Sequence, residues 1–141
     1  MSDPERRVLF DRVAMLGNYE SFALVGIAAN DVKRRRRDIY VHGKIMLVDD
    51  AWATIGSCNL HAGSMYGHTE MNASFWQPSV VRPLRCALLK EHLGMDTADQ
   101  DVRSALRLYR EVALENRHRR NAGRHDWQGL AYRLDPASYA E

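Results

Sequence analysis

The amino-acid sequence predicts an α/β fold, in α+β form, in which a mixed sheet is flanked by helices. Apolar residues repeat at helical spacing in three segments, and β-branched and aromatic residues fill several shorter segments of strand length. Glycine and aspartate turn signals separate these segments. With 141 residues, 45% of them hydrophobic, the chain is long enough for one domain with a core.

Capping signals mark where the helices begin. Ser2 and Glu5 have capping-box spacing at the start of a first helix, which Gly17 can end. A second capping box, Thr97 with Gln100, opens the third helix near the C-terminal end of the chain.

The second helix is predicted to run from Val80 to Leu93, with Gly94 as its stop. Its inward face is expected to carry Leu84, Ala87 and Leu88. The third helix ends near Arg117, and after Gly123 the chain is expected to be irregular.

Strand signals lie between the first two helices. Phe22 to Ala29 is uninterrupted by polar residues, which indicates a strand buried on both faces in a mixed or parallel sheet. An exposed charged loop, 30–37, follows. Residues 38–48 and 52–55 are predicted to form a hairpin that turns at Asp49 and Asp50. Another strand, 69–76, places Glu70, Asn72 and Ser74 on one face.

His42 and Lys44 share one face of the predicted hairpin because side chains alternate along a strand. An unpaired lysine is costly to bury, so this face is either solvated or occupied by an anion. A phosphate group would satisfy both side chains. Taken singly, His42 could be a structural histidine and Lys44 a solvated surface residue, and only the combined spacing favours a function.

That spacing extends further along the chain, as His42-x-Lys44-x4-Asp49-x6-Gly56-Ser57-x-Asn59. It resembles the signature of the phospholipase D superfamily, the HKD motif. Glu70-x-Asn72 lies where that family has an acidic residue on a neighbouring strand, and the segment Leu84–Gly94 resembles the family's closing segment. The resemblance implies a single phospholipase D-like half domain over 1–141, with a core at about 20–95 and a C-terminal helix and tail at about 97–141.

The resemblance also assigns roles to individual residues. The residues implied to be catalytic are His42, Lys44, Asp49 and Glu70, and those implied to bind the substrate phosphate are Lys44, Ser57 and Asn59. His42 would attack phosphorus or protonate the leaving oxygen, a task that suits an imidazole with an unperturbed pKa of about 6.5. Glu70 would orient His42, and Asp49 would stabilise the end of its strand. No metal or other cofactor is implied.

The family's mechanism needs two histidines, and this chain carries one motif. A second motif would come from another copy of the chain in a homodimer, or from a missing N-terminal half. The expected function is a phosphodiesterase or phosphatidyltransferase acting on phospholipids through a phosphohistidine, such as a phospholipase D or a cardiolipin synthase. Two alternatives stay open: a single-motif homodimeric endonuclease, and an inactive fragment or interaction domain.

Two basic blocks, 34–37 and 117–124, are predicted to be solvated surface, or else to contact an anionic membrane or a nucleic acid. No apolar run is long enough to span a membrane, so we expect a cytoplasmic protein that can lie at the inner face of a membrane. His61 and His68 are near the motif and are expected to be loop histidines or pocket residues. Trp52 and Trp76 are expected in the core or in the wall of the pocket, and the core is favoured.

Overall fold

The strands form two separate three-stranded sheets, and the longer helices lie beside them. The computed structural model describes residues 4–137. Within that range the helices are α1 (Pro4–Leu16), α2 (Pro78–Leu93) and α3 (Val102–Asn121). The strands are β1 (Val25–Asn30), β2 (Arg36–Asp38), β3 (Lys44–Val48), β4 (Trp52–Gly56), β5 (Asn72–Trp76) and β6 (Ala131–Arg133). The predicted α/β class is confirmed.

The first sheet has the strand order β2-β1-β6, and β1 is antiparallel to both neighbours. The expectation that this apolar segment lies in a mixed or parallel sheet with both faces buried is therefore wrong. Within β1 only Ala28 is fully buried. A short apolar run fits a central antiparallel strand equally well, and its composition does not determine the direction of its neighbours.

Strand β6 lies in the region that was expected to be irregular. The buried Asn116 side chain on α3 holds this region in place: its Nδ2 donates to the carbonyl oxygens of Gln128 and Ala131, both at 2.7 Å. The Gln128 N–H donates to Asn116 Oδ1 at 3.1 Å. These long-range bonds are absent from any local sequence pattern, which explains why the strand was not predicted.

The second sheet has the order β3-β4-β5 and contains the predicted hairpin. Asp49 and Asp50 have φ values of +50° and +56°, as a type I′ turn requires, and aspartate tolerates this conformation better than most residues. β3 begins at Lys44, whereas one strand was predicted over 38–48. Arg36–Asp38 pairs with β1 instead, so residues 39–43 connect the two sheets.

Helix α2 ends at Gly94 (φ +66°), as predicted, but a different face is buried. Its buried residues are Val81, Arg85, Leu89 and Leu93, and not the predicted set of Leu84, Ala87 and Leu88. The N-cap of α3 is Asp101, whose Oδ1 accepts from the Ser104 N–H at 2.9 Å, and not Thr97. The proposed Ser2 cap of α1 lies outside the described residues.

The described core is small and divided. One cluster contains Ala28, Trp127 and Tyr132, and the other contains Leu89, Leu93 and Ala105. In contrast, several large apolar side chains of the second sheet are exposed. Trp76 is 74% exposed and Met46 is 58% exposed, so the expectation that Trp76 is a core residue is wrong.

The tip of the hairpin is attached to α2 by a buried ion pair. Arg85 Nε and Nη2 donate to the two carboxylate oxygens of Asp50 at 2.5 and 2.9 Å, and the Arg85 side chain is only 7% exposed. A bidentate arginine–carboxylate pair fixes both position and orientation. It also explains why α2 turns a charged residue inward in place of the predicted apolar stripe.

At the end of the sheet opposite the turn, β4 and β5 approach each other closely. A Cβ atom at Gly56 would overlap Asn72 Oδ1 and the carbonyl oxygen of Met71. Glycine is therefore required at this position of β4, since the side chain of the neighbouring strand lies across it.

We expect Asp50→Asn to lower the free energy of unfolding by about 2–4 kcal/mol, because it leaves the buried guanidinium without a counter-charge. Asp49→Asn is the matched control: Asp49 has the same backbone conformation and makes no ion pair among the described residues. Urea unfolding at neutral pH measures both. Equal losses in the two variants would contradict a stabilising role for the ion pair.

Gly56→Ala is expected to cost about 1–3 kcal/mol, because the added methyl group must displace backbone as well as the Asn72 side chain. Gly67→Ala is the control, since nothing lies within 4 Å of a Cβ atom there. Its unfolding midpoint should stay near that of the parent chain. A Gly56→Ala protein as stable as the Gly67→Ala protein would show that the end of the sheet is loosely packed.

Candidate active site

The predicted motif residues other than Asp49 lie near the end of the second sheet that is opposite the hairpin turn. Lys44, Gly56 and Asn72 are directly paired across β3, β4 and β5, so they share one face. His42 lies two residues before Lys44, in the exposed connection between the sheets.

Lys44 and His42 are in direct contact. Lys44 Nζ lies 3.1 Å from His42 Nδ1 and donates to the His42 carbonyl oxygen at 2.6 Å. An ammonium group can only donate, so Nδ1 accepts and the neutral ring carries its proton on Nε2. The Tyr40 ring lies beside the imidazole, with 6.1 Å between the ring centroids. The His42 side chain is exposed, so its outer nitrogen is accessible to a ligand.

Ser57 and Glu70 form a second contact at the same end of the sheet. Ser57 Oγ donates to Glu70 Oε2 at 2.5 Å and accepts from the Met71 N–H at 3.1 Å. The Ser57 N–H donates to the Met71 carbonyl oxygen at 3.0 Å. Together these bonds join the segment after β4 to the segment before β5.

Glu70 is held in its ionised form. The Ser57 hydroxyl is the largest cause of a lowered Glu70 pKa, followed by Ser64, and the positive charges of His68 and Lys44 add to the effect. These interactions outweigh desolvation, which acts in the opposite direction. Glu70 is therefore a carboxylate at neutral pH, within range of the Lys44 charge.

Not all of the predicted site residues meet. Among residues 4–137, no hydrogen bond joins Glu70 to His42, whose Nδ1 contacts Lys44 instead. The Asn59 side chain is exposed near Ser57. Asp49 lies at the opposite end of β3, five residues from Lys44, which is about 16 Å along a strand. At that distance it acts on the turn and cannot contact a group bound at His42.

The structure also brings further polar residues to this end of the sheet. His61 Nδ1 accepts from the Gly63 N–H at 3.0 Å. A Cβ atom at Gly63 would also lie 3.1 Å from His68 Cε1, so both rings border this glycine. Asn72 pairs with Gly56 and was visible in the sequence only through its alternation with Glu70. Ser64 is buried in a π-helical turn (Gly63–Gly67), and no sequence signal identifies it.

The two basic blocks are largely engaged within the chain. In the first, Arg36 donates to the carbonyl oxygens of Ala28, Gly129 and Trp127, at 2.8–3.0 Å, and its guanidinium lies 4.9 Å from the Trp127 ring centroid. Arg35 and Arg37 pair with Asp31. In the second block the ion pairs are Arg117–Asp135, Arg119–Glu115, Arg120–Asp38 and Arg124–Asp126. Most arginines of the two blocks therefore already have a partner within the chain.

Two further features concern ligands and membranes. Among residues 4–137, no three His, Cys, Asp or Glu side chains converge as metal ligands would. The same residues include no helix with the length and apolar character needed to cross a bilayer.

Comparison with known proteins places this arrangement in a family. The family model for phospholipase D matches residues 17–121, which is more than half of the chain. Phospholipase D alpha 4 of Arabidopsis thaliana is 34% identical over 83 residues, which cover 54% of this chain and 11% of that protein. Phospholipase D alpha 1 of Cynara cardunculus is 39% identical over 75 residues, covering 45% of this chain and 9% of that protein.

Phospholipase D zeta 2 of Arabidopsis thaliana is 35% identical over 78 residues, covering 43% of this chain and 8% of that protein. The chain thus spans about a tenth of the length of these curated relatives. No solved structure is significantly similar to it. From the family match and the motif geometry together, the chain belongs to the phospholipase D family.

Proposed function

We propose that this chain supplies one half of a phosphodiester-cleaving active site that acts on phospholipids and forms a phosphohistidine at His42. The observation that carries the proposal is the contact between Lys44 Nζ and His42 Nδ1, 3.1 Å long, on an exposed sheet end. The contact places a cation that can bind a phosphate anion next to an imidazole that can attack it.

The proposed reaction has two steps. The His42 Nε2 lone pair attacks phosphorus, the bond from phosphorus to the leaving oxygen breaks, and that oxygen takes a proton from a second imidazole. Water or an alcohol then loses its proton to the second imidazole and attacks phosphorus, which breaks the phosphorus–nitrogen bond and frees His42. Hydrolysis results in the first case and phosphatidyl transfer in the second.

A change of partner for Lys44 would prepare His42 for attack. In the structure Nδ1 accepts from Lys44, so Nε2 carries the proton and cannot act as a nucleophile. A bound phosphate oxygen would draw the ammonium group away. Nδ1 could then take the proton and donate it toward the Glu70 carboxylate, which leaves the Nε2 lone pair free. Ser57 and Asn59 would donate to the phosphate oxygens on the same side.

The second imidazole is proposed to come from another HKD motif, either on a second copy of this chain in a homodimer or in a part of the protein outside this sequence. The exposure of His42, beside a half-buried Lys44, supports such a completion, because a partner must cover the site to exclude water from it.

A phospholipid substrate is favoured over a nucleic acid by two observations. Most arginines of the basic blocks are paired within the chain, which weakens the case for a phosphate-backbone surface. Met46 and Trp76 are exposed on the face that carries Lys44, where apolar parts of a lipid could lie. The protein would then work in the cytoplasm at the inner face of a membrane.

The test uses the protein in EDTA with phosphatidylcholine vesicles and, separately, with single-stranded DNA. We expect lipid cleavage, with a phosphorylated His42 trapped by rapid denaturation and identified by mass spectrometry. His42→Ala should reduce turnover at least about 1000-fold, because the nucleophile is removed. His118→Ala, which changes an exposed histidine on α3, is the control.

Cleavage of DNA without cleavage of lipid would contradict the lipid proposal and support the endonuclease alternative. A protein that cleaves neither substrate, and that is monomeric in solution, would support the inactive fragment or interaction domain.

Glu70→Gln should weaken turnover less than His42→Ala does, by about 10- to 100-fold, because it removes an orienting charge and not the nucleophile. The Ser57 hydroxyl holds the Glu70 pKa below its usual range, so the wild-type residue is already ionised at neutral pH. The acid limb of the kcat/KM profile should therefore be unchanged in this variant. Losses equal to those of His42→Ala would contradict the orienting role.

A further inference from the structure

Asn72 lies in the same cross-strand row as Lys44, with Gly56 between them. Neighbouring strands are about 4.8 Å apart, so the Cα atoms of Lys44 and Asn72 are separated by about 10 Å. Because the residue between them has no side chain, the Asn72 side chain can lean across β4 toward the strand that carries Lys44.

The Asn72 side chain has one fixed orientation. Its Oδ1 accepts from the Cys58 N–H at 3.3 Å and occupies the place that a Cβ atom at Gly56 would take. An N–H group can only donate, so the oxygen must face Cys58. The NH2 group of the same amide then points away from Cys58.

This NH2 group is a free donor. Among residues 4–137, Nδ2 of Asn72 makes no hydrogen bond, although Oδ1 is bonded, and the residue is exposed. The nearby carboxylate, Glu70, is engaged by the Ser57 hydroxyl. Asn72 and Lys44 lie on the same face of the sheet. An oriented neutral donor and an ammonium group in this arrangement can each bind one non-bridging oxygen of a phosphate.

We infer that Asn72 is a further phosphate-binding residue of this site, whose Nδ2 donates to one non-bridging oxygen while Lys44 holds the other. The inference rests on the proposed function, since it names an additional residue for the same phosphate. If Asn72 binds the phosphate, β5 contributes a binding residue directly.

Asn72→Asp is the sharpest test, because it preserves the size of the side chain and the acceptor for the Cys58 N–H. It replaces only the NH2 group, with an oxygen that repels phosphate. We expect the affinity for inorganic phosphate to fall about 10- to 100-fold, and kcat/KM for the diester to fall at least as much. Asn18→Asp makes the same change of charge at an exposed position outside the sheet and should leave both quantities unchanged.

A direct readout comes from the side-chain amide resonances in a ¹H–¹⁵N spectrum. Addition of inorganic phosphate to the wild-type protein should shift the Asn72 NH2 signals and leave those of Asn18 in place. If Asn72→Asp fails to fold, Asn72→Ala removes the donor without adding charge, and the same loss of phosphate affinity is expected.

The outcomes separate the two proposals. Phosphate binding that is lost in Lys44→Ala but unchanged in Asn72→Asp would overturn the inference and leave the proposed function standing. Phosphate binding that depends on Asn72, in a protein that cleaves no diester, would support the inference and overturn the proposed function. A wild-type protein whose Asn72 signals do not respond to millimolar phosphate would also overturn the inference.

Discussion

Because the Arg85 guanidinium is almost fully buried, its charge has to be matched inside the protein, and Asp50 at the hairpin tip matches it through two hydrogen bonds. This one interaction sets the rotation of α2 and attaches the second sheet to the helical part of the chain. Ala53, in the middle strand of that sheet, is fully buried. With the turn held in this way, the opposite end of the hairpin is free to carry polar groups.

At that free end, the side chains differ in how firmly they are held. Glu70 and Asn72 are oriented by hydrogen bonds from Ser57 and from the Cys58 N–H, and both remain accessible. His42 and Lys44 instead contact each other, and the Tyr40 ring lies beside the imidazole. A hydrogen-bonded carboxylate and amide thus lie at the same end of the sheet as a cation and an imidazole that contact each other. His42 and Asn72 are exposed, and Lys44 and Glu70 are half-buried.

The basic blocks show how little composition reveals about a surface. A run of arginines predicts either a solvated face or a phosphate-binding patch, and the two cannot be separated without knowing the partners. Here Arg36 is used as a structural donor to three carbonyl oxygens, and Arg120 is paired with Asp38. The Arg120 ion pair is also the main cause of a lowered Asp38 pKa. The two basic blocks therefore mainly make contacts that stabilise the fold.

The sequence by itself determined the family, the hairpin with its Asp49–Asp50 turn and the end of α2 at Gly94. Each of these depends on local spacing or on the backbone preference of one residue type, which a single sequence displays. Tertiary structure decided the antiparallel sheets, the strand β6, the inward turn of Arg85 and the partner of His42. These features depend on which distant groups meet: Asn116 reaches β6, and Asp50 reaches α2. Charge matching and hydrogen bonding over such separations leave no periodic pattern in the chain, so only the folded structure shows them.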